Sequence, residues 1–67
     1  MQPIRIDGSQ ANWQELLEET VLDGQEAALF NHTVAHHETC LRLATFMRVD
    51  LKLDDTTNTI TFRRPAQ

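Results

Sequence analysis

The sequence predicts an α+β fold: a short N-terminal strand, two helices and a C-terminal antiparallel hairpin, with the helices packed on one face of the sheet. Three observations carry this. Ile4 and Ile6 alternate with Arg5 and Asp7. Trp13, Leu16, Leu17, Thr20 and Val21 recur at helical spacing. Val49, Leu51 and Leu53, and then Ile60 and Phe62, return to period two.

The first strand ends at Gly8. Ser9 is placed to cap the first helix, and Asn12 with Glu15 offers a capping box one turn later. The apolar stripe at i, i+3, i+4, i+7 and i+8 faces inward, turning Glu15, Glu18 and Glu19 toward water. Asp23-Gly24 breaks this run. Asp23 with Glu26 forms a capping box for a second helix, and no proline or glycine interrupts the chain from Gln25 to Met47. A continuous helix of that length spans roughly 35 Å, long for so small a domain. Its apolar arc centres on Ala27, Phe30, Val34, Leu41 and Ala44, with Leu29, Leu43 and Met47 widening it on one side. Asn31, Glu38 and Arg42 lie opposite, and Phe46 points near that polar side. The breadth of the arc asks for something further to pack against.

In the tail, Asp50, Lys52 and Asp54 alternate with the apolar residues of one strand, and Thr59, Thr61 and Arg63 with those of the next. Asp55 and Asn58 suit the intervening turn. Residues 64–67 are expected to fray. The 67 residues form one small domain. A single cysteine cannot form an internal disulfide, so a homodimer, through the helix or a strand edge, is the expected source of added stability. The N-terminus lacks a basic region followed by an apolar run, and no segment approaches a membrane span, so a cytoplasmic, reducing location is expected.

Charge is unevenly spread over a net −4. Residues 1–38 hold seven acids (Asp7, Glu15, Glu18, Glu19, Asp23, Glu26, Glu38) against Arg5 alone. Residues 39–67 hold Asp50, Asp54 and Asp55 against Arg42, Arg48, Lys52, Arg63 and Arg64. A general nucleic-acid binder carries a denser basic surface. Arg5, Lys52 and Arg63 form at most a short basic stripe, interrupted by Asp7, Asp50 and Asp54.

His32, His36, His37 and Cys40 fall within nine residues. On one helix, His32 and His36, or His36 and Cys40, stand one turn apart and could chelate zinc or copper. His32 and Cys40 are about 12 Å apart along the axis, too far for all three to share one ordinary site. His37 and Cys40 fall on the packing side, His36 at its boundary and His32 nearer water. There is no glycine-rich anion loop, no CxxC and no HExxH. A non-catalytic interaction or regulatory module without cofactor is therefore expected, docking a basic protein surface through Glu15, Glu18, Glu19, Glu38, Leu43, Phe46 and Met47. The alternatives are a metal-dependent protein using His32, His36 and Cys40 and, ranked behind it, a nucleic-acid-binding module.

Overall fold

The computed structural model describes residues 2–65. The elements run β1 (Ile4–Asp7), α1 (Trp13–Leu22), β2 (Ala27–Phe30), α2 (Val34–Met47), β3 (Asp50–Asp54) and β4 (Thr59–Arg63). They form a four-stranded mixed sheet in the order β1-β2-β4-β3. β1 and β2 are parallel; β4 is antiparallel to both β2 and β3. The α+β class, the first strand, the first helix and the C-terminal hairpin are as the sequence predicts. The second helix is not: its expected first third is a strand in the middle of the sheet.

The reason is burial. Ala27, Ala28 and Leu29 are all buried, Ala27 and Leu29 in the core beneath the helices and Ala28 between Arg5 and Thr61 of the flanking strands, so this inner strand reads as an unbroken apolar run. Brackets on either side stop the helix from reaching it. Gly24 takes φ +86° and donates its N–H to the Val21 carbonyl, closing α1. Asp23 thus ends the first helix instead of capping a second. Asn31, at φ 55°, turns the chain out of β2, and Thr33 occupies the position before α2.

Two further local expectations are corrected. The Ser9 hydroxyl and amide both donate to the Asp7 carboxylate, so Ser9 stabilises the loop and does not cap α1. Asn12 stands at the N-cap position, but its side chain makes no capping bond. The hairpin turn is held by Asp54, which accepts the Thr56 N–H at 3.0 Å, with Asn58 supplying the left-handed residue.

One face of the sheet carries Ile6, Ala27, Leu29, Ile60 and Phe62, which form a single core with Leu17 and Val21 of α1 and Cys40, Leu43 and Ala44 of α2. Both helices therefore cover the same face. The opposite face, bearing Arg5, Ala28, Thr61 and Lys52 in one row across the four strands, is left open. No helix among the described residues is long and apolar enough to cross a membrane. The expected fraying of 64–67 falls partly outside those residues; Arg64 lies near the end of α1, its guanidinium 3.4 Å from the Val21 and Leu22 carbonyls.

Candidate functional site

The carboxyl ends of β1 and β2 bring two loops together, residues 8–12 and 31–33, beneath the first turns of both helices. Gly8 passes so close to β2 that a Cβ there would stand 2.9 Å from the Phe30 carbonyl oxygen, while its own N–H donates to that oxygen at 2.7 Å. Asp7 ties the loops together. The Ser9 hydroxyl and amide and the Asn31 side-chain amide hold its carboxyl below the usual carboxylate range.

The three histidines meet this frame in different ways. His36 Nδ1 accepts the Thr33 backbone N–H at 2.9 Å, the reaching-back half of a capping box. An accepting Nδ1 puts the proton of the neutral ring on Nε2, which donates to the Gly8 carbonyl at 2.9 Å. The same ring packs at 4.9 Å, tilted, against Trp13 of α1. A shallow cleft of about 290 Å³ opens beside them, lined by Trp13, Gln14, Ala35, His36 and Thr39. His37 turns the other way, with its Nε2 3.2 Å from His32 Nδ1, while His32 Nε2 donates to the Asn58 carbonyl at 3.0 Å. One histidine thus fastens α2 to the first loop, and two fasten it to the hairpin turn.

Cys40 joins neither group. It is fully buried as a small apolar side chain, and desolvation pushes its thiol up to about 11, the opposite of nucleophile activation. Of the expected ligand set, His32 lies before the helix, His36 is bonded to Gly8 and Thr33, and Cys40 points into the core. The structure does not bring these three together. Among the described residues, no group of three His, Cys, Asp or Glu side chains converges as a metal centre requires.

The expected contact residues also separate. Leu43 is buried in the core and Met47 packs against it, so both close the monomer's own fold. Glu15 and Glu19 are exposed, Glu18 is half-buried, and Glu38 pairs with Arg42 at 2.8 Å on the surface. Phe46 stands 81% exposed and Leu41 58% exposed. With Arg42 and Thr45 they line an open groove of about 450 Å³ on the outside of α2. Sequence reasoning misses Leu41, because extending the helix through β2 rotates its inferred buried face toward Leu41. On the open sheet face, the Arg5 guanidinium covers the Phe30 ring at 4.7 Å. Lys52 and Arg63 share that face with Asp50 and Asp54. In comparisons with known proteins, no family model, no curated protein and no solved structure matches the chain.

Proposed function

We propose that this chain is a non-catalytic interaction module that docks a basic, amphipathic segment of another protein on the outer face of α2. The observation that carries the reading is the pair Leu41 and Phe46, two large apolar side chains held in water on either side of Arg42. An exposed aromatic beside an aliphatic side chain is the usual composition of a binding hot spot. Charge selects the partner. The chain carries a net −4, and the one base lining the groove, Arg42, is paired with Glu38. A basic segment is drawn by that net charge, while an acidic one is repelled.

The burial of Cys40 supports the non-catalytic reading, because it removes the chain's single thiol from substrate reach. The test is a backbone-amide NMR titration with a synthetic amphipathic Lys/Leu helix, run against its Glu/Leu counterpart. Shifts confined to Leu41, Arg42, Thr45 and Phe46, absent with the acidic peptide and lost in Phe46→Asp, are expected. No binding, equal binding of both peptides, or shifts centred elsewhere would refute the proposal.

A further inference from the structure

The strand order leaves β3 as an outer strand, with β4 on one side and no strand on the other. Its sequence, Asp50-Leu51-Lys52-Leu53-Asp54, is a palindrome of residue types. An outer strand of this kind meets an identical copy antiparallel to itself about a two-fold axis, and the side-chain registers can be compared one by one. Only registers that keep Leu on the helix side and the charges on the open side are admissible, because a slip of one residue exchanges the faces.

Centring the axis on Lys52 sets Lys52 against its own copy and Asp50 against Asp54 twice, so every charged pair repels. Centring it on Leu53 pairs Lys52 with Asp54 but sets Leu51 against Asp55. In that arrangement Asp54 is also already engaged, accepting from the amide of Thr56. Centring it on Leu51 satisfies every position. Lys52 faces Asp50 of the second copy twice, Leu51 faces Leu51, and Leu53 faces Val49 twice. Leu53 is 49% exposed at the rim of the core, so this contact covers apolar surface the monomer leaves wet. Asp50 and Lys52 are both exposed, and neither belongs to an ion pair among the described residues.

We infer that the edge of β3 is a self-association surface, occupied by a second copy of this chain in the register centred on Leu51. The product is a continuous eight-stranded sheet with all four helices on one side. The same charges exclude the competing registers, so Lys52, ordinarily a guard against edge pairing, here selects one partner alignment. This surface is distinct from the α2 groove and does not depend on it.

Charge exchange tests the inference. Sedimentation over a micromolar to high-micromolar series at low salt should show a reversible monomer–dimer equilibrium for the unaltered chain. Lys52→Asp and Asp50→Lys should each weaken it by about tenfold or more, since each turns two attractive cross-strand pairs repulsive. Mixing the two variants in equal amounts should restore association, because one then carries acids at both positions and the other carries bases at both. The double exchange in one chain should restore it as well. Circular dichroism on each variant confirms that the monomer fold is retained, as expected for exposed positions. A chain that stays monomeric throughout the series, a dimer indifferent to Lys52→Asp, or a mixture that fails to associate while both variants remain folded would overturn it.

Discussion

Replacing His36 with alanine removes three interactions at once, and their sum can be worked out from the structure. The Thr33 N–H loses its cap acceptor, worth about 1 kcal/mol at a helix start. The Gly8 carbonyl loses its half-buried hydrogen bond from Nε2, worth about another 1 kcal/mol. The Trp13 ring loses a tilted aromatic neighbour, worth roughly 0.5–1 kcal/mol. The total, about 2–3 kcal/mol, is a large share of the ~3–10 kcal/mol that a domain of this length carries. It corresponds to a fall in Tm on the order of 10–20 °C. Urea unfolding followed by circular dichroism measures it. His36→Gln separates the contributions: the amide oxygen at this position can still reach back to Thr33 N–H, so about a third to a half of the loss should return. An alanine variant within about 0.5 kcal/mol of the parent would refute the argument that this ring joins the first loop to α2.

Three other outcomes follow from the same geometry. Cys40 should resist alkylation in the native protein and react on unfolding. Because its folded pKa, about 11, lies above the ordinary 9.0, stability should hold below pH 9 and fall as pH rises between those values, a loss absent in Cys40→Ala. Asp7 has the opposite sign: its folded pKa is depressed below 3.8, so its contribution is present above that value and is lost as pH falls through the folded pKa. Acid unfolding of Asp7→Asn should show a correspondingly weaker pH dependence. Gly8→Ala should cost about 1–3 kcal/mol, since the new Cβ meets two backbone carbonyl oxygens that cannot swing aside. Hydrogen exchange should locate the damage at the Gly8 amide.

The elements with a repeating pattern can be read from the chain alone. β1, α1, β3 and β4 each show their period, and the position of Phe62 inside and Phe46 outside follows from local alternation or helical phase. β2 has no such period. Ala-Ala-Leu-Phe is four residues long, rich in helix-tolerant types, and becomes a strand only because β1 and β4 flank it. Missing it misplaces the buried face of α2: an uninterrupted helix puts Val34 at the centre of that face, yet Val34 is 82% exposed, while Cys40, Leu43 and Ala44 make the core contact. The histidines are beyond reach for a different reason. The partners of His36 and His32, Gly8 and Asn58, lie 28 and 26 residues away, and local spacing carries no information about such contacts.

The inner position of β2 bears on how the chain is made. Its neighbours are β1, the first of the six elements, and β4, the last of them, with Ala27 paired to Phe62. Until β4 follows, the chain therefore holds a parallel pair and two helices with one edge of the central strand unpaired. Hydrophobic surface and an open strand edge then coexist until residues 59–63 appear, the condition under which nascent chains recruit chaperones or misassemble. Completion of the sheet thus waits for residues 59–63, and a truncation that removes β4 should leave the preceding residues without a stable sheet.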